Sequence, residues 1–201
     1  LVCFITQAQN EFITTWQVPD GDLSIFIPTE TFQNNFIYDY TVDFGDGTVL
    51  TNQTDDATHT YASAGTYTVS ITGVFPKFAG SALLSDSYKF MTVEQWGDIQ
   101  WESMDNAFED CFNLTINATG QPDLSNVTDM SYMFYGADSI NSPNISSWDV
   151  SNVTNMRNVF EGTNSFNQSL NNWDVSNVTN MNEMFRGSVY NQPLNNWDVS
   201  N

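Results

Sequence analysis

The heptapeptide Asn-Asn-Trp-Asp-Val-Ser-Asn occupies residues 171–177 and returns letter for letter at 195–201, with Ser-Ser-Trp-Asp-Val-Ser-Asn at 146–152. A chain that repeats itself at a period of roughly 20–50 residues builds one small structural unit several times and stacks the copies. Four columns stand in register: Met104, Met130, Met156 and Met181; Phe108, Phe134, Phe160 and Phe185; Trp101, Val127, Val153 and Val178; and Pro122, Trp148, Trp173 and Trp197. Within one unit, Val178, Met181, Met184 and Phe185 fall at i, i+3, i+6 and i+7, which predicts one face of a helical turn or two. Trp173 and Val175 flank Asp174 as the inward residues of a very short strand would. Each unit is therefore expected to run strand, helical turn, loop, strand. It buries its Val, Met, Phe and Leu columns and closes with Asn-rich loops whose amides stack as ladders. One unit is too small to hold itself together, so neighbours must share burial and backbone bonds.

Before residue 96 the period changes. Segments 11–18, 23–27, 38–44, 65–75 and 88–93 are rich in β-branched and aromatic residues with partial alternation. Turn signals separate them at Pro19-Asp20-Gly21, Gly45-Asp46-Gly47 and Ala64-Gly65. Short strands at this spacing predict a β-sandwich over residues 10–95.

Both halves carry family signatures. The stretches YTVDFGDGTVL (40–50) and THTYASAGTYTVSITG (58–73) resemble the PKD domain, a seven-stranded Ig-like sandwich. Asp43, Gly45, Asp46, Gly47, His59, Tyr61, Gly65, Tyr67 and Val69 match that motif, and the role the resemblance implies for them is folding. Val42 stands where the family usually has Trp, leaving Phe44 to fill the core. From residue 97 to 201 the chain resembles the BspA-like leucine-rich repeats of bacterial surface proteins, also called the Mycoplasma lipoprotein type. The fold class expected is thus mainly β with short helical turns: an Ig-like, PKD-type sandwich followed by a leucine-rich-repeat solenoid. Residues 96–121 depart from the repeat and are expected to form a capping coil, with Trp96 and Trp101 sealing it against the sandwich. The repeats that follow are expected to be cut short at residue 201, leaving an open edge.

Asp123, Asp149, Asp174 and Asp198 occupy one outward column. Like charges about 4.8 Å apart repel, and three readings answer that repulsion. Each Asp accepts hydrogen bonds from neighbouring Ser, Asn or backbone N–H groups; or Asp149, Asp174 and Asp198 share a cation such as Ca²⁺, which wants about 6–8 oxygens; or the row is a face that recognises a ligand. The eight Asn-X-Ser/Thr sequons, Asn177 among them, read chiefly as part of the Asn ladder.

The formal net charge of −20, from 24 acidic and 4 basic residues, argues against nucleic-acid and anionic-membrane roles. No apolar run is long enough to span a bilayer. Leu1–Ile5 reads either as the tail of a secretory signal peptide within residues 1–9 or as a first strand. Cys111 is expected to be buried and inert, and His59, the one histidine, structural. No nucleophile–base pair, zinc spacing or phosphate loop is present. The expectation is a non-enzymatic, secreted or cell-surface bacterial protein without a cofactor. Its partners are expected to be a surface protein or glycan, or itself or neighbouring subunits through the open solenoid end. The alternative is a structural spacer or self-assembling unit of a surface fibre.

Overall fold

The computed structural model describes residues 10–30 and 36–200, so the choice between signal remnant and first strand for residues 1–9 lies outside the described residues. Strands β1 (Phe12–Val18), β2 (Ser24–Ile27), β3 (Asp39–Asp43), β4 (Val49–Gln53), β5 (Ala57–Thr60), β6 (Gly65–Val74) and β7 (Phe90–Gln95) make the first half. β8 (Thr115–Ile116) comes from the first repeat coil. A six-stranded sheet runs β4-β3-β6-β1-β7-β8, faced by the two-stranded sheet β2-β5. Every pairing is antiparallel except β7 with β8. Two of these strands, β4 and β5, are absent from the sequence reading. β4 is almost wholly exposed or half-exposed, so no apolar alternation marks it, and its place is set by pairing with β3.

Between the sheets lie Trp16, Val18, Ile25, Ile27, Val42, Phe44, Val69 and Ile71, all buried. The Gly-Asp-Gly turn is held by two Asx bonds. The Gly45 N–H donates to Asp43 Oδ1 at 2.8 Å and the Thr48 N–H to Asp46 Oδ1 at 3.0 Å. Gly45 has φ +78°, and a Cβ there would stand 2.2 Å from the Thr68 carbonyl oxygen, so only glycine fits. His59 bonds Asp46 Oδ2 at 2.8 Å and stacks on Phe44 with ring centroids 4.6 Å apart. Those contacts give it a folding role, and Phe44 fills the space beside the smaller Val42.

The two halves share one core. Phe12 stacks on Trp96 at 5.9 Å and meets Trp101 edge-on at 5.1 Å. Trp96 reaches Trp148 of the next coil at 5.5 Å, and Phe78 stacks on Phe108 at 5.9 Å. Both lysines are withdrawn into this sandwich and its seam. Lys77, 2% exposed, is paired with Glu30 and, at 2.5 Å, with Asp105 of the first coil. Lys89, fully buried, is paired with Asp22 at 2.6 Å and Asp86 at 3.2 Å. Burial pulls the Lys89 ammonium down, but its bonds to Asp22 and Asp86 outweigh that and hold it above the usual lysine range.

From Met104 onward the chain forms stacked coils, but not of the local structure the periodicity predicts. The Val-Met-Met-Phe face is a run of linked turns rather than a helix, and the Trp-Asp-Val segments are not in strands. Backbone bonding explains why. In the first coil the N–H groups of Met104, Asn106, Phe108 and Asp110 donate across to the carbonyls of Asp129, Ser131, Met133 and Tyr135. Met130, Tyr132, Phe134 and Gly136 donate to Asn155, Arg157, Val159 and Glu161, and Met156, Asn158, Phe160 and Gly162 to Asn180, Asn182, Met184 and Arg186. These bonds measure 2.7–3.0 Å. An α-helix would use those N–H groups within one coil. Here turn bonds such as Ala107 to Met104 and Glu109 to Asn106 close the coil instead. Left-handed residues at Asn106, Tyr132, Asn158 and Glu183, and again at Asp110, Gly136, Gly162 and Gly187, swing every second N–H toward the next coil. Isolated parallel bridges join Asp129, Asn155 and Asn180, just before the Met column.

The columns meet inside. Phe108, Phe134, Phe160 and Phe185 form one ladder with successive ring centroids 5.7, 5.6 and 5.8 Å apart. Met104, Met130 and Met156 are fully buried, and Trp148 and Trp173 nearly so. Met181, Phe185 and Trp197 of the last coil are only partly covered. Cys111 is buried, and that burial pushes its thiol well above the usual range.

Candidate functional site

The segments 122–124, 148–150 and 173–175 bury their first and third residues and expose the Asp between, so Asp123, Asp149 and Asp174 are exposed residues of successive coils, while in the last coil Asp198 and Val199 are both exposed. Each is fixed the same way. Oδ1 of Asp123, Asp149, Asp174 and Asp198 accepts the N–H of Ser125, Ser151, Ser176 and Ser200, at 3.0–3.1 Å. The hydroxyls of Ser151 and Ser176 donate to the same oxygens at 2.7 Å. Asp123 also accepts from Gln100 at 3.1 Å. Hydrogen bonds from these serines stabilise the ionised form and hold the Asp123, Asp149 and Asp174 carboxyls below the usual range. Repulsion from Asp174 opposes this at Asp149, where it is the weakest contribution. Among the described residues no three His, Cys, Asp or Glu side chains converge as a metal site would require. The serine bonds answer the charge repulsion by the first of the three routes weighed above and occupy Oδ1, while Oδ2 of Asp123 accepts from Gln100.

The Asn ladder lies alongside. Asn152 and Asn177 donate side-chain N–H to the carbonyls of Ser125 and Ser151 at 3.1 and 2.8 Å, coil to coil. Trp173 and Trp197 donate their indole N–H to the Ile145 and Leu170 carbonyls at 2.9 and 2.8 Å. Asn117 and Asn144 are likewise engaged, with Glu94 and the Ala118 carbonyl. These amides lock one coil to the last.

Two features escape the sequence reading. Two shallow hollows of about 300 and 270 Å³ adjoin at Gly97 and Gln121, where β7 meets the first coil, and reach Asp123 and Asp149. The second feature is the removal of positive charge from the surface. With both lysines buried, only Arg157 and Arg186 remain. Arg157 lies over the Tyr132 ring at 5.5 Å, and Arg186 sits near Glu161 and Glu183 at 3.4 and 3.3 Å. Lysine burial leaves no trace in composition, because it is set by which carboxylates the fold brings to each ammonium.

Comparison with known families follows the division seen in the structure. Residues 2–74 match the PKD domain, and residues 102–201 match the family described as Mycoplasma protein of unknown function, DUF285. The first half is a PKD-type β domain. Its sheet continues past the matched stretch, since β7 pairs with β1. No curated protein and no solved structure matches the chain. The two domains together are consistent with a bacterial extracellular surface protein. No helix among the described residues is long and apolar enough to cross a membrane.

Proposed function

We propose that the stacked coils are a BspA-like leucine-rich-repeat solenoid. We propose further that the chain is a non-enzymatic surface protein whose solenoid flank binds a partner in adhesion or recognition. The observation that carries this reading is the Asp row. It recurs at one position per coil, is fixed by serine bonds, and belongs to a surface from which both lysines have been withdrawn. A regularly spaced, pre-ordered row of carboxylates on a chain of net charge −20 suits a basic protein segment, or a glycan whose hydroxyls donate to the exposed Asp149 and Asp174 carboxylates. The PKD-type domain then serves as a rigid base, since the first coil is built into its sheet through β8.

The test is binding of the purified chain to cells, to basic proteins and to a glycan array, at low and high salt, beside the double variant Asp149→Asn/Asp174→Asn. Binding that weakens with salt and falls at least about tenfold in the double variant supports the reading. Silence on all three surfaces, or binding indifferent to both changes, overturns it. The fibre-unit reading has less support. At the outer edge of the first coil Gly80 packs against the Ala107 carbonyl and the Ser81 N–H donates to the Asn106 carbonyl, so part of the edge that end-to-end stacking would use is already occupied.

A further inference from the structure

Lys77 sits at the seam between sandwich and stack, and two carboxylates from different parts of the chain reach its ammonium. It lies in the segment between β6 and β7, Glu30 follows β2, and Asp105 follows Met104 in the first coil. The Lys77 Nζ contacts Glu30 and stands 2.5 Å from Asp105 Oδ1, and its side chain is all but closed to solvent. The main chain around this trio is pinned. The Tyr38 hydroxyl accepts the Glu30 N–H and donates to the Lys77 carbonyl, both at 3.0 Å. The Glu102 N–H donates to the Pro76 carbonyl at 2.9 Å. The Asp105 carboxylate is held at both oxygens, by the Ser103 hydroxyl on Oδ1 at 2.6 Å and the Asn106 amide on Oδ2 at 2.7 Å. Later coils carry Ser131, Arg157 and Asn182 in that column, so the repeat itself does not require an Asp there.

We propose that Lys77 and Asp105 join in an intramolecular amide bond across the seam, with Glu30 carrying the protons. Glu30 takes a proton from the ammonium, and the freed Nζ lone pair attacks Asp105 Cγ. The Nζ–Cγ bond forms and the Cγ–Oδ1 bond breaks. Oδ1 leaves as water, and both of its hydrogens come from the ammonium, relayed by Glu30. Oδ2 stays as the amide carbonyl oxygen on its Asn106 donor. One ammonium and one carboxylate become one amide and one water, so no cofactor, oxidant or second substrate enters. Two effects favour the product. A buried ion pair pays to keep both charges out of water, and the amide carries none. Groups held in contact by a rigid frame react at effective concentrations of about 10⁵ M or more. Lys89 meets two carboxylates as well, but it also donates to the Ser24 carbonyl at 2.8 Å, and its nearer partner Asp22 is half-exposed and keeps its hydration. That pair stays ionic. The amide ties the PKD-type domain covalently to the first coil, and it is independent of the ligand reading of the Asp row.

The test is the intact mass of the purified full chain together with a tryptic map. The parent is expected to be lighter than its sequence by the mass of one water. Trypsin does not cut after an acylated lysine, so residues 1–89 and 90–157 are expected as one species, joined through Lys77 and Asp105. Glu30→Gln is expected at full sequence mass with the parent's near-ultraviolet circular dichroism, because Gln fills the same space and takes no proton. Asp105→Ala is expected at full mass too. The proposal is overturned if the parent has its full sequence mass, if water is lost without the two peptides joining, or if the join runs to Glu30 or starts at Lys89. It is equally overturned if Glu30→Gln is linked as completely as the parent. The parent's mass and map decide the linkage whether or not either variant folds.

Discussion

The sandwich and the stack bury similar side chains but dispose of their backbone groups in opposite ways. Strands β1 and β6 each pair with two neighbours, so their N–H groups point alternately to either side. In a coil of the stack every second N–H points one way, toward the next coil. A sheet built the first way is non-local and holds or fails as a unit. A stack built the second way is nearly one-dimensional, each coil depending on the next, with its weakest point at the uncovered end.

Glycine substitutions break that comparison most sharply. In the sandwich, Gly45→Ala forces a Cβ onto the Thr68 carbonyl at 2.2 Å. It is expected to cost about 4 kcal/mol or more, or to abolish folding, by urea denaturation. In the stack, Gly162→Ala meets nothing nearer than 3.8 Å and adds only left-handed strain at φ +70°. A loss of about 1–2 kcal/mol is expected there. Equal losses at both sites would contradict the claim that a Cβ at Gly162 has open space.

Position along the stack comes next. Phe134→Ala removes a fully buried ring from the middle of the ladder and is expected to cost about 3–5 kcal/mol. Phe185→Ala, on the partly covered last coil, is expected to cost roughly half as much or less. If the two losses are equal, stability is not graded along the stack.

The smallest effects concern charge. The folded pKa of Lys89 is raised. Its contribution is therefore complete below the ordinary lysine value, about 10.4, and is lost as pH rises through the raised folded value. Asp149 and Asp174 have lowered folded pKa values. Their contributions are complete above the ordinary value, about 3.9, and are lost as pH falls through the lowered ones. Because both carboxylates are exposed, Asp149→Asn/Asp174→Asn should shift stability at pH 7 only slightly and make the acid limb shallower. Lys89→Met should abolish the alkaline loss near the sandwich. Thermal melts across pH separate the two. A steeper acid limb in the Asn variant would reverse the assigned sign.

What could be read from the sequence follows from what leaves a periodic mark. The Met, Phe and Trp columns, the outward Asp row and the Gly45-Asp46-Gly47 turn all did. The conformation of the coil did not, because apolar residues at i, i+3 and i+7 line one face of a helix and equally the inner side of linked turns. The distinguishing signal was present in Gly136, Gly162 and Gly187, which recur two residues after each Phe at positions of positive φ. The other left-handed column, Asn106, Tyr132, Asn158 and Glu183, has no composition to reveal it, since the inter-coil bonds impose it. The burial of Lys77 and Lys89 was equally hidden, being decided chiefly by Glu30, Asp105 and Asp22, which are distant in sequence from the lysines they pair with, Asp86 being a local partner of Lys89.

The central claim is that coils are joined by a one-way row of N–H donors and not by helical turns that happen to lie side by side. Residue-resolved amide exchange on the chain tests it directly. Met156, Asn158, Phe160 and Gly162 are predicted to be protected, and the corresponding Met181, Glu183, Phe185 and Gly187 to exchange near the unprotected rate. Helical turns would bond within the coil and protect Phe185 and Gly187 as well as Phe160 and Gly162, and that result would contradict the account.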